Sequence, residues 1–179
     1  MTIDDTIAEL KIARDGFLFS LGAYALLTKE PASSELSRYG IKVCEDGNIV
    51  VSENEQSHHR GTSYTICFND GLSESAAKSV VDASFKKMII DSNHVIQKHK
   101  KENNINISEP TAFRFIRHYR NAIAHNGRWS LHSAKDLPIT WRNRTLTFDM
   151  NNQSIDGFLT WFEGLQLCAQ LILYLDQSK

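Results

Sequence analysis

The stretch RFIRHYRNAIAHNGR, residues 114–128, encodes a helix and its end in one reading. Phe115, Ile116, Tyr119, Ala122 and Ile123, with Ala112 just upstream, recur at three- and four-residue steps and so gather on one helix face. Asn126-Gly127 supplies a left-handed stop. The other face collects Arg114, Arg117, His118, Asn121 and His125, with Arg128 just beyond. Upstream, Ser108 can cap the start and Pro110 is tolerated in the first turn, which gives a helix over about residues 108–126. A helix apolar on one side must bury that side against other elements.

Those other elements are also legible. Residues 3–29 carry Ile3, Ile7, Leu10, Phe17, Leu21 and Tyr24 at helical spacing, with Asp4 and Asp5 where a helix dipole favours acids. Residues 73–102 carry Ala77, Val81, Phe85, Met88 and Val95, with Ser73 as N-cap and a basic end at Lys98-His99-Lys100-Lys101. Residues 154–177 place Phe158, Phe162, Leu165, Ala169 and Ile172 on an inner face. Pro31, Pro110 and Pro138 all avoid the long periodic stretches. The expected fold is therefore mostly α, a four-helix up-down bundle.

Two segments interrupt it. Residues 31–72 contain Ile41-Lys42-Val43, an Asp46-Gly47 turn and Ile49-Val50-Val51, which read as a hairpin, with a third strand near residues 63–68. Residues 128–150 contain Ile139-Thr140-Trp141 and Leu146-Thr147-Phe148, a second hairpin. Both are too poor in apolar residues for a core of their own. They read as insertions between helices 1 and 2 and between helices 3 and 4 of a single domain spanning 1–179.

Composition narrows the class. Apolar residues make up 41% and charged residues 23%, which excludes a disordered chain. Cys44, Cys67 and Cys168 are odd in number and lack a Cys-x-x-Cys spacing, as free thiols of a reducing cytoplasm do. With an acidic start where a signal peptide would be basic, no secretory signal is expected, and the most apolar stretch, residues 157–175, carries Glu163, Gln166 and Gln170. Neither a membrane span nor a membrane partner is expected, and the expected location is cytoplasmic.

Net charge is −1, yet no Asp or Glu occurs from Pro110 to Lys135, where four Arg, one Lys and three His fall. A nearly neutral protein has concentrated an anion-binding surface on one element. Arg binds phosphate through a planar fork, and His titrates near neutrality. Asn121 and His125, four apart, can touch; Arg120 and His125, five apart, stand about 140° apart around the axis. A second copy of the helix across a two-fold axis would bring both to one point. The plain structural alternative makes His125 a last-turn histidine favoured by the helix dipole. Trp129, Trp141 and Trp161 offer rings for base stacking, with core packing the alternative for Trp161. Glu55, His58 and His59 lie in a polar loop without a third ligand, and His94 and His99 read as surface residues, so no metal site is expected.

Arg120-Asn121-Ala122-Ile123-Ala124-His125 resembles the motif of the HEPN superfamily (higher eukaryotes and prokaryotes nucleotide-binding): Arg, a polar residue, further residues, then His, near the end of the third main helix. The resemblance implies a homodimer whose two motifs face each other and which cleaves RNA without metal or other cofactor, leaving a 2′,3′-cyclic phosphate. It makes His125 the general acid/base, Arg120 the stabiliser of phosphorane charge and Asn121 a positioning group. Arg114, Arg117, His118 and Arg128 become flanking RNA contacts. Many relatives are bacterial toxins or phage-defence effectors encoded beside an antitoxin, which would be a partner. Others have lost catalysis and bind nucleotide, RNA or protein, and that alternative stays open. The two hairpin-bearing segments depart from a minimal bundle of this kind.

Overall fold

The computed structural model describes residues 1–29, 41–43, 48–51, 64–67, 74–103 and 110–177. The protein is mostly helical. Among these residues are four α-helices: α1 (Ile3–Lys29), α2 (Glu74–Glu102), α3 (Thr111–Ala124) and α4 (Trp161–Asp176). Five short strands accompany them: β1 (Ile41–Val43), β2 (Asn48–Val51), β3 (Tyr64–Cys67), β4 (Ile139–Trp141) and β5 (Arg144–Leu146). No helix among the described residues is long and apolar enough to cross a membrane.

The chain divides into two compact units, Phe19–Ala83 and the pair of segments Met1–Leu18 and Ser84–Lys179. The first contains an antiparallel sheet of order β1-β2-β3, with Lys42 opposite Val50 and Ile49 opposite Ile66. The expected Asp46-Gly47 turn and the Ser73 cap lie outside the described residues.

The second unit carries α3. Its core joins Leu10 and Phe17 of α1 to Phe85, Met88 and Ile96 of α2 and to Leu167, Cys168 and Leu171 of α4, all buried. Each such side chain contributes about 1.5–3 kcal/mol by leaving water. Phe17 and Phe85 meet edge to face at 5.6 Å. Gly164 lets α4 approach α2 so closely that a β-carbon there would stand 2.1 Å from Phe85 Cε2. Ser92 Oγ and Cys168 Sγ lie 3.5 Å apart between the same two helices.

α3 lays Ala112, Phe115, Ile116, Tyr119 and Ala122 inward, as its spacing requires. Its start differs from expectation. Pro110 holds the N-cap position without a side-chain cap, its carbonyl accepting from the amides of Phe113 and Arg114, and Ser108 lies outside the described residues. The β4–β5 hairpin packs on α3 through Trp141, whose ring lies 5.6 Å from that of Phe115. Its second strand is Arg144–Leu146, so Thr147 and Phe148 leave the ladder, and Phe148 begins a one-turn 3₁₀ helix. Arg144 clamps this hairpin to α4 by donating through Nε and Nη2 to the two carboxylate oxygens of Glu163, at 2.8 and 3.0 Å.

α4 corrects two expectations. It begins at Trp161 and not near residue 154, because Gly157 turns the chain at φ +71° and Thr160 with Glu163 forms a reciprocal cap. Its buried stripe is Gly164, Leu167, Cys168, Leu171 and Leu175. Phe162, expected inside, is 66% exposed, and Leu165, Ala169 and Ile172 are only half-buried.

Candidate active site on the third helix

The C-terminal end of α3 is fixed by backbone alone. The amide of His125 donates to the carbonyls of Asn121 and Ala122, at 3.0 and 3.1 Å, and its own carbonyl accepts from the amide of Arg128 at 3.2 Å. Asn126 and Gly127 turn left-handed at φ 55° and 72°, and the amide of Gly127 donates back to the Ala122 carbonyl at 3.0 Å, satisfying a carbonyl at the helix end. Beyond the turn the chain is bolted to residues 152–155. Ile155 donates to the Gly127 carbonyl at 2.9 Å, Trp129 donates to Gln153 at 2.9 Å, and Asn152 donates to Trp129 at 2.8 Å. Trp129 then seals the turn from within, its ring between Tyr119 and Phe158 at 5.7 and 4.9 Å.

This anchoring leaves the His125 side chain exposed on a rigid stub, and among the described residues its ring makes no hydrogen bond. Arg120 and Asn121 are half-buried neighbours, Arg120 Nη1 standing 3.4 Å from Asn121 Oδ1. That long, weak bond accepts on the amide oxygen and leaves the Asn121 Nδ2 hydrogens facing away from Arg120. The structure therefore joins Arg120 to Asn121 and gives Asn121 and His125 a shared backbone bond. It does not join Arg120 to His125. A groove of about 510 Å³ between α1 and α2, lined by Ile12, Phe17, Met88 and Val95 among others, includes none of these three residues.

The flanking cations divide differently. The acid-free run ends at Lys135, and the next residue, Asp136, folds back on α3. Arg114 donates to the main-chain carbonyl of Asp136, and Arg117 Nη2 lies 3.7 Å from the Asp136 carboxylate. Arg128 Nη1 donates to the carbonyl of Asn152 at 2.8 Å. His118 is half-buried with both ring nitrogens shielded from solvent. Asp136 escaped the sequence reading, although its place as the first acid after a long basic run was the available signal.

Other expectations are overturned. Trp129 and Trp141 are 1% and 3% exposed, so neither can stack on a base; Trp141 instead donates from Nε1 to Gln170 Oε1 at 2.6 Å. Trp161 is half-buried. His99, expected at the surface, is 5% exposed and bonded through Nδ1 to Thr6 Oγ1 at 2.7 Å, because α1 packs over the end of α2. His94 is exposed. Glu55, His58 and His59 lie outside the described residues, among which no group of three or more His, Cys, Asp or Glu could hold a metal ion.

Compared with protein-family models, with curated proteins and with solved structures, the chain finds no match in any of the three.

Proposed function

We propose that this protein is a HEPN-type endoribonuclease that needs no metal, with Arg120, Asn121 and His125 as its catalytic residues. The observation that carries the reading is the end of α3: an exposed histidine on a backbone-fixed stub, one turn beyond a paired Arg120–Asn121. In the reaction a ribose 2′-oxygen attacks the adjacent phosphorus and the 5′-oxygen leaves. The products are a 2′,3′-cyclic phosphate and a 5′-hydroxyl end. His125 takes the 2′-hydroxyl proton or gives one to the leaving oxygen, a role suited to a side chain whose ordinary pKa is about 6.5. Arg120 neutralises charge on the equatorial phosphate oxygens, and Asn121 donates its amide hydrogens to the same group.

The separation of Arg120 and His125 around the helix is why the active form is a homodimer, each site taking its arginine and its histidine from different copies. The four helices form an up-down bundle in each copy, and the reaction is cytoplasmic. A role in a toxin–antitoxin or phage-defence system, with an antitoxin as partner, follows from the same resemblance. Arg120→Ala and His125→Ala should each lower RNA cleavage at least about 100-fold while leaving the helical circular-dichroism spectrum and melting temperature unchanged. Wild-type rates in either variant would end this assignment.

One observation favours a second reading, a non-catalytic RNA-, nucleotide- or protein-binding module of the same kind. Arg114, Arg117 and Arg128 all make intramolecular contacts, which leaves fewer cations to grip a substrate. RNA bound and recovered intact by the wild type would select it.

A further inference from the structure

Arg114 and Arg117 stand one helical turn apart on α3, a spacing that suits one phosphate group shared between two guanidinium forks. In the folded chain both reach Asp136. Arg114 bonds the Asp136 carbonyl, and Arg117 faces the Asp136 carboxylate at 3.7 Å. The turn that presents Asp136 is itself held. Ser133 Oγ accepts from the amide of Lys135 at 3.1 Å, and the amide of Leu137 donates to the Ala134 carbonyl at 3.0 Å. Asp136 is thus placed by its backbone and brings a negative charge to a face otherwise encoded without acids.

We propose that Asp136 is an internal stand-in for an RNA phosphate, occupying the Arg114–Arg117 subsite until substrate displaces it. This rests on the nuclease reading of α3 and names how its flanking subsite is controlled. The contact has the properties displacement requires. The Arg117 and Asp136 side chains are 34% and 54% exposed, the ion pair is longer than a hydrogen bond, and exposed pairs of this kind are weak. A phosphodiester offers Arg117 a shorter, charge-assisted bond in place of this ion pair, and offers Arg114 a charged acceptor in place of a neutral carbonyl. Asp136 therefore lowers affinity for any polyanion and favours those able to engage both arginines together. It is a specificity-determining residue and not a catalytic one.

The test is binding of a labelled single-stranded 2′-O-methyl oligoribonucleotide, which cannot be cleaved through its 2′-oxygen, followed by fluorescence anisotropy at several salt concentrations. Asp136→Asn should bind several-fold tighter than wild type, with a steeper salt dependence by up to about 0.7 in log–log slope, the value for one more neutralised phosphate. The gain should vanish when Arg117→Ala is added. Asp149→Asn, which removes an exposed acid elsewhere, should give little of it. Equal binding by wild type and Asp136→Asn would overturn the proposal while leaving the nuclease reading standing. An equal gain in Asp149→Asn, or one that survives Arg117→Ala, would overturn it as well. Absence of binding by every variant would remove both the RNA-binding face and the gate upon it.

Discussion

His125 and His99 show how far environment separates two identical side chains. The place of His125 at the end of α3 was legible because the Asn126-Gly127 stop follows it directly. The burial of His99 was not legible, since nothing in α2 alone says that α1 covers its end. Asn103 Nδ2 donates to the carbonyls of Met1 and His99 and also lies 3.2 Å from His99 Nδ1, while the Thr6 hydroxyl donates to the Thr2 carbonyl. Thr6 Oγ1 lies 2.7 Å from that same ring nitrogen, so the contact ties the end of α2 to α1. Burial, seconded by the charge of the nearby terminal amine and opposed by Glu102, pushes the His99 pKa below its ordinary value. The unfolded chain thus binds the proton more readily than the folded one. Stability from this site is complete above the unfolded value of about 6.5 and falls as pH drops below it toward the lowered folded value. Urea unfolding across pH 5 to 8 should show wild-type stability declining below about 6.5, with that part of the decline absent in His99→Gln. An unchanged pH profile in the variant would contradict the assignment.

At the scale of elements, α3 was readable because its apolar residues share one face, while α1 and α2 were readable as long helices although α1 also turns Ile12, Leu18 and Phe19 to solvent. α4 was readable as a helix but not as to which side faces in. Phe162, Leu165, Ala169 and Ile172 make one apolar stripe, and Gly164, Leu167, Cys168, Leu171 and Leu175 make another. Periodicity cannot choose between two such stripes. Glycine decides it, because only residue 164 lets α4 close on Phe85, and that contact is invisible until both helices are placed. Three substitutions follow, read by denaturant unfolding. Leu171→Ala should cost about 2–5 kcal/mol, while Phe162→Ala should cost under about 0.5 kcal/mol. Gly164→Ala should destabilise by about 1–3 kcal/mol or more, although alanine is the better helix former by about 1 kcal/mol, because the added methyl overlaps the Phe85 ring. A stabilised Gly164→Ala would mean that α4 does not pack on α2 in this register.

For the whole molecule, the four helices follow from local pattern, whereas the fold-back of Asp136 onto α3 depends on the path of the chain between α3 and the hairpin. The proposed dimer belongs to this scale too. If each site takes Arg120 from one copy and His125 from the other, mixing two inactive variants restores one intact site in every mixed pair. Arg120→Ala mixed with His125→Ala after subunit exchange should recover about a quarter of wild-type activity, since about half the random pairs are mixed and each holds one good site of two. No recovery, despite exchange shown by differently tagged copies, would place both residues of each site within one copy. The most direct test of the central claim is incubation of wild-type and His125→Ala protein with labelled RNA in excess EDTA, followed by analysis of the new ends. Fragments ending in 2′,3′-cyclic phosphate, formed by the wild type alone, are the expected result. RNA left intact by the folded wild-type protein, or fragments formed equally by both proteins, would contradict it.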